Sequence, residues 1–259
     1  MIKRMCMLAT ISLSLALVLG LSQTGYSKET VKNSFFSIKL SVTNCFLLPC
    51  DDGYLLIDTS YKDQYGKFLK ELAKVDVDVS EIRYVLLTHH HDDHAGFIAE
   101  LIDNNPEITV IVHEADLAWL AAGQNNEDAA PLNGCIHVLL GLFGAFHEFG
   151  FPGYIVRETD IILTGDDDEL LPSIGVDGVI LYTPGHTDDS VSVVTADGDA
   201  FVGDLAMNFL KICCIKYRPI FVHDMPQVRE SWERVLDAGA VTIYPAHGRP
   251  FNAEKLEME

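Results

Sequence analysis

The sequence is short of positive charge. Among 259 residues, 18 Lys and Arg face 38 Asp and Glu, a formal net charge of −20 at pH 7. Beyond Lys3 and Arg4 no basic cluster offsets that field locally. Such a surface repels a phosphate backbone, so nucleic acid is not an expected partner. Cysteine is sparse and poorly spaced: none of the 6 falls in a zinc knuckle or a redox CxxC pair. No repeat at a short fixed period occurs, which argues against solenoids and propellers. The length and the 48% hydrophobic content suffice for one substantial core, not for two domains with linkers.

Long apolar runs are scarce as well, and the clear one stands at the N-terminus. Residues 5–21 have only Thr and Ser as polar breaks, after Lys3 and Arg4 and before a polar stretch at 22–28. This is the layout of a secretory leader, and Gly25 and Ser27 supply small residues for a cut after Ser27. The run also approaches the lower limit of a membrane-spanning helix, about 17 residues. The expectation is therefore a signal peptide or uncleaved anchor over residues 1–27 and one folded domain over 28–259. Export follows, secreted or in the cell envelope, with membrane contact through residues 1–27 alone. Loss of Cys6 with the leader would leave Cys45, Cys50, Cys135, Cys213 and Cys214, so at least one thiol stays unpaired. A disulfide and a set of small apolar core residues are both open readings.

Residues 35–58 give three short β-rich runs, with Asp51-Asp52-Gly53 as a hairpin turn. Apolar residues at helical spacing follow (Tyr65, Phe68, Leu69, Leu72), then a buried-strand run at 83–87 that ends in a histidine cluster. Residues 95–102 read as a helix, 108–112 as a strand and 116–122 as a short helix. This alternation places helices outside a sheet. Strand patterns return at 160–163, 176–183, 190–195 and 200–202, with an Asp197-Gly198 turn, before a helix at 226–238 and a strand at 241–244. Residues 130–153, rich in Gly, Phe and Leu, read either as a lid or as a buried helix pair.

The string Thr88-His89-His90-His91-Asp92-Asp93-His94-Ala95-Gly96 puts several nitrogen and oxygen donors on one strand-to-helix loop. Histidine is the commonest protein ligand for borderline metals and Asp adds a hard oxygen, so such a loop suits zinc or a first-row relative. His186, Asp204 and His247 each follow a strand-like run, in Pro184-Gly185-His186, Gly203-Asp204 and Pro245-Ala246-His247-Gly248. Gly or Pro beside each candidate fits a tight loop where backbone approaches a metal.

Together these residues resemble the metallo-β-lactamase superfamily, whose pattern is H-x-H-x-D-H followed by a His, a bridging Asp and a last His. The resemblance spans nearly all of residues 28–259. It implies an α+β fold, a four-layer αβ/βα sandwich, with His89, His91 and His186 on one metal, Asp93, His94 and His247 on a second, and Asp204 bridging. Two divalent ions, zinc first with iron or manganese as alternatives, would lower the pKa of a shared water from about 15.7 towards about 7. A metal-bridged hydroxide would then attack a small-molecule ester, lactone or thioester, with Asp93 as ligand and as carrier of a proton to the leaving group. Asp58 resembles an acidic position that supports the metal loops, and a strand-terminating Asp is the plainer alternative.

Departures from branch patterns narrow the reading. Zinc β-lactamases usually lack the bridging Asp, and flavin-linked diiron reductases place Glu where this chain has His91. Glyoxalase II matches the motifs closely but adds a helical extension, whereas residues 249–259 alone follow His247-Gly248. Lactonases often carry Tyr three residues beyond the bridging Asp, and Met207 stands there. Persulfide dioxygenases share the frame with one iron, making an oxidoreductase the alternative function, and a non-catalytic binding role is a third. Asn208, Lys211, Tyr217, Arg218 and His223 are candidates to reach a substrate, each with a plain surface-loop reading beside it. His113, His137 and His147 read as structural or exposed.

Overall fold

Alternation along short strands decides the architecture of the protein, whose computed structural model describes residues 35–125, 130–131, 133–138, 149–209 and 215–256. All of these belong to one unit, Ser34–Glu259. The strands are β1 (Phe36–Leu40), β2 (Thr43–Cys50), β3 (Gly53–Ile57), β4 (Ile82–Leu86), β5 (Thr109–His113), β6 (Ala130–Pro131) and β7 (Ile161–Leu163). Then come β8 (Gly178–Tyr182), β9 (Val191–Thr195), β10 (Asp199–Phe201), β11 (Phe221–Val222), β12 (Thr242–Tyr244) and β13 (Phe251–Asn252). Labelled helices are α1 (Tyr65–Leu72), α2 (Asp92–Ala95), α3 (Ile98–Asn104), α4 (Leu117–Ala122), α5 (Leu170–Ser173) and α6 (Met225–Asp237). One sheet runs β1-β2-β3-β4-β5-β7, a second runs β13-β12-β10-β9-β8, and β6 pairs with β11.

Successive side chains of a strand face opposite sides, so each strand feeds two cores. On β2, Cys45 and Leu47 pack with α1 and α3 residues such as Phe68 and Leu101, while Phe46 and Leu48 face the other way. There they meet Ile180, Val193, Phe201 and Tyr244 of the second sheet. Val194, Ala200 and Ile243 point outward from that sheet onto Val228, Trp232 and Val235 of α6. Three cores thus separate four layers: helices, sheet, sheet, helices. This is the expected αβ/βα sandwich.

Several details differ from the sequence expectation. The helix expected at 95–102 is two, α2 and α3, because the His94 carbonyl accepts from Thr59 N (2.7 Å) and Thr59 Oγ1 (2.6 Å) instead of from the next helical turn. Gly96 lies in the break, where a Cβ would stand 2.2 Å from Asp92 O and 2.5 Å from Ser60 O. The tail after His247 is ordered as β13, antiparallel to β12. Cys45 and Cys50 are free and lie on one strand, about 16 Å apart along it at 3.3 Å per residue, which rules out a bond between them. Cys135 is disulfide-bonded. Residues 1–27, Lys211, Cys213, Cys214 and His147 lie outside the described residues, as do residues 132 and 139–148 of the 130–153 stretch; residues 134–138 of it are helical. Among the described residues no helix is long and apolar enough to cross a membrane.

Candidate metal centre

The candidate ligands sit on loops at the C-terminal ends of β4, β8, β10 and β12, where the two sheets meet. In sheets with parallel strands, here β3-β4-β5-β7 and the β10/β12 pair, such ends open onto the ligand crevice. The edge is sewn together by backbone bonds: Val191 N donates to Thr88 O (2.9 Å) and Asn44 N to Ala246 O (2.8 Å). From outside, α6 braces two of the loops. Trp232 Nε1 donates to Leu205 O (2.9 Å), next to Asp204, and Ser231 Oγ to Pro184 O (2.7 Å), two residues before His186. Gly203, at φ 51°, lets the loop pass so near Thr88 that a Cβ would meet its Oγ1 at 2.4 Å.

All seven candidate residues converge. His89 Nε2, His91 Nδ1 and His186 Nε2 form a triangle with sides of 3.1, 3.2 and 3.2 Å. The second group is Asp93, His94 and His247, with His247 Nε2 3.0 Å from Asp93 Oδ2. Asp204 lies between them: Oδ1 is 3.3 Å from both His94 Nε2 and His247 Nε2, and Oδ2 is 3.6 Å from His186 Nε2.

The opposite ring nitrogens are committed elsewhere, which fixes what faces inward. His186 Nδ1 meets Phe221 O (2.8 Å), and His247 Nδ1 meets Val42 O (3.0 Å). Carbonyls only accept, so each Nδ1 carries the hydrogen and each Nε2 presents its lone pair in the neutral ring. Thr88 Oγ1 donates to Asp58 Oδ2 (2.8 Å) and is left to accept from His89 Nδ1 (3.1 Å). Asp58 also takes Thr88 N (2.7 Å) and faces His94 Nδ1 (2.8 Å), so the supporting role is the one its contacts describe.

Charge follows the same division. Burial, then neighbouring imidazoles, holds His89 well below its ordinary pKa and His91 at about 3; burial lowers His186 too. In the second group burial also opposes charge, but Asp58, Asp204 and Asp93 raise His94, and Asp204 and Asp93 raise His247 to about 10. Asp93 is held at about 2 against burial by His94 and His247.

These residues fit a metal centre. The triangle matches the spacing of nitrogens around a tetrahedral ion, about 3.3 Å for bonds near 2.0 Å. His94 Nε2 and Asp204 Oδ1 are buried with no hydrogen-bond partner. Buried ring nitrogens and carboxylate oxygens that converge in this way call for a cation. The nitrogen and carboxylate set suits zinc, iron or manganese alike.

Other candidates have their side chains engaged elsewhere. Tyr217 packs its ring on Phe251 at 4.4 Å, and His223 Nδ1 pairs with Asp188 Oδ1 at 2.7 Å. Asn208 stays close, its N donating to His247 O (2.9 Å). His113 is buried and stacks on Tyr182 at 4.4 Å, a structural histidine as expected. Sequence reasoning missed the parts played by Thr88, Phe221 O and Val42 O. Backbone acceptors carry no residue signature, and Thr88 had only its place at the head of the motif.

A sandwich of two mixed sheets with a His/Asp metal-binding centre at their shared edge defines a metallo-hydrolase class of protein. Residues 38–247 match the family model of the metallo-beta-lactamase superfamily, and the chain belongs to that superfamily. The beta-lactamase-like protein 2 homolog of Drosophila melanogaster is 26% identical over 216 residues, 82% of this chain and 60% of that protein. A hydroxyacylglutathione hydrolase of Vibrio parahaemolyticus is 32% identical over 113 residues, 43% of this chain and 42% of that one. The chain thus spans less than two thirds of either relative. A solved metallo-beta-lactamase family protein from Thermus thermophilus superposes with a TM-score of 0.61 at 20% identity, covering 87% of this chain and 78% of that one. At that identity the likeness concerns the fold.

Proposed function

We propose that the protein is a dinuclear metal-dependent hydrolase of a small-molecule ester, lactone or thioester, with zinc the first candidate metal. The observation that carries the reading is the placement of Asp204, whose two oxygens face the two ligand groups from between them. Two bound ions would supply Lewis-acid polarisation and an activated water. Asp58 and Thr88 hold the rings of His89 and His94 in their tautomers, and Phe221 O and Val42 O do so for His186 and His247. Asp93 is the more exposed acid of the centre, its side chain 14% accessible against 6% for Asp204. It is thus the acid placed to orient water and pass a proton to a leaving group.

The thioester option draws on the resemblance to the Vibrio hydroxyacylglutathione hydrolase; the acidic surface disfavours strongly anionic substrates. Export through residues 1–27 belongs to the same proposal, and mass spectrometry of the mature N-terminus tests it. The functional test is metal content of protein purified without added metal, read beside an ester, lactone and thioester panel. About two ions per chain with chelator-sensitive hydrolysis supports the reading. One iron per chain with oxygen consumption on a persulfide overturns it in favour of a dioxygenase.

A further inference from the structure

His90 occupies the variable position between two candidate ligands, yet it is fully buried and faces away from the centre. Its ring stacks on Trp119 of α4, with centroids 5.5 Å apart at 17°. Its backbone N and its Nδ1 both meet Asp189 Oδ2, each at 2.9 Å. Asp189 is itself buried and stands three residues beyond His186. One carboxylate oxygen therefore joins the loop that carries His89 and His91 to the loop that carries His186.

Behind them lies Asp116, wholly buried, with Oδ1 3.6 Å from His90 Nδ1. No donor reaches either of its oxygens. Burial, then the charge of Asp189, pushes its carboxyl well above the usual range. Asp189, despite burial, is held below the usual range by Asp116 and His90.

We propose that Asp189 and His90 are positioning residues for the first metal, setting the rotation and separation of the His89, His91 and His186 nitrogens. This rests on the metal-centre reading and not on the substrate. A triangle of three nitrogens held by two loops keeps its 3.1–3.2 Å sides only while the loops stay in register, and Asp189 is a side-chain tie between them that bypasses the ligands. Partners of this kind behind metal ligands typically change metal affinity by about 10–100-fold.

The test is metal binding alone. Full-length protein stripped of metal is titrated with Zn2+ against a chromophoric chelator, and bound metal is counted by mass spectrometry. Asp189→Ala should weaken one of two binding steps by about 10–100-fold and leave the other unchanged. Asp189→Asn, whose amide oxygen still accepts both His90 donors, should recover most of that loss. Should Asp189→Ala fail to fold, His90→Phe keeps the stack on Trp119, removes the ring donor, and should weaken the same step. Equal weakening of both steps would overturn the proposal, as would a failure of Asn to rescue. So would a third ion per chain that disappears in Asp189→Ala, since that would make the cluster a metal site in its own right.

Discussion

Two buried His/Asp clusters share one loop, and they solve the same electrostatic problem in opposite ways. In the metal centre, the outward nitrogens of His89, His94, His186 and His247 are taken by Thr88, Asp58 and backbone carbonyls, so the inward atoms are left to face one another. In the His90 cluster the donors point inward: a backbone N–H and a ring nitrogen both reach Asp189. Residue type does not separate a cation site from a hydrogen-bonded brace. What separates them is where the second ring nitrogen of each histidine is spent.

The hardest way to break the comparison is Asp204→Asn. The amide turns an NH2 towards one of the two ligand groups and removes the charge that spans them. We expect a loss of about three orders of magnitude in kcat/KM, equivalent to about 4 kcal/mol of transition-state stabilisation, with less metal retained. Wild-type activity at full metal content would sink the spanning role. Metal removal comes next. Chelation should lower the melting temperature of the wild type and not that of Asp204→Asn, because an ion at about 100 times its Kd stabilises a folded chain by about 2.7 kcal/mol. Identical melting with and without chelator would mean that the centre is held by hydrogen bonds alone.

Thr88→Val sharpens the contrast at smaller cost. The valine keeps the β-branched shape beside Gly203 but leaves His89 Nδ1 and Asp58 Oδ2 without their shared hydroxyl. Metal affinity should fall by about 10-fold, at the low end of the range for such partners, while the metal-free fold stays intact by circular dichroism. An unchanged affinity would assign the orientation of His89 to packing.

Much of this contrast was legible from sequence, but unevenly. The sandwich was what the resemblance to the superfamily implied, and the short β-rich runs in both halves agreed with it; Asp51-Asp52-Gly53 and Asp197-Gly198 mark hairpins that the structure contains. The candidate ligands could be named because dense His and Asp beside Gly and Pro is rare without a chemical use. The structure brings all seven together. Asp189 and Asp116 were invisible because one follows Asp188 in a turn and the other ends a single 3-10 turn begun by Glu114, and burial, which decides their meaning, is a tertiary property. His90 was set aside because a motif describes the residues that face the metal and says nothing of the side chain that faces away. The break between α2 and α3 was hidden for a related reason: Thr59, 35 residues before His94, takes the carbonyl that a continuing helix would need.

A half-buried acid that shares no partner with either cluster gives the smallest effect and a check on the sign of the argument. Asp160 Oδ1 accepts from Val110 N (3.0 Å), and Oδ2 from Tyr154 Oη (2.5 Å) and Arg157 N (2.7 Å), with the Arg157 guanidinium 2.8 Å from Oδ1. Burial would raise this carboxyl, as it raises Asp116, but bonds from Arg157 and Tyr154 bring it below the ordinary carboxylate range. Asp116 has no such donors and moves the other way. A depressed folded pKa means that the stability Asp160 contributes is fully present above its unfolded value, about 3.9, and is lost as pH falls through the folded one. Asp160→Asn should therefore cost about 1–2 kcal/mol at pH 7, the scale of hydrogen bonds to a charged group near a partly exposed arginine. The gap from wild type should narrow as pH falls below the unfolded value, about 3.9, and close as the wild-type carboxyl becomes protonated. Urea unfolding midpoints of metal-free protein at pH 7, 5 and 3 read this directly. A gap that stays constant to pH 3 would mean that shape and not charge is what Asp160 supplies.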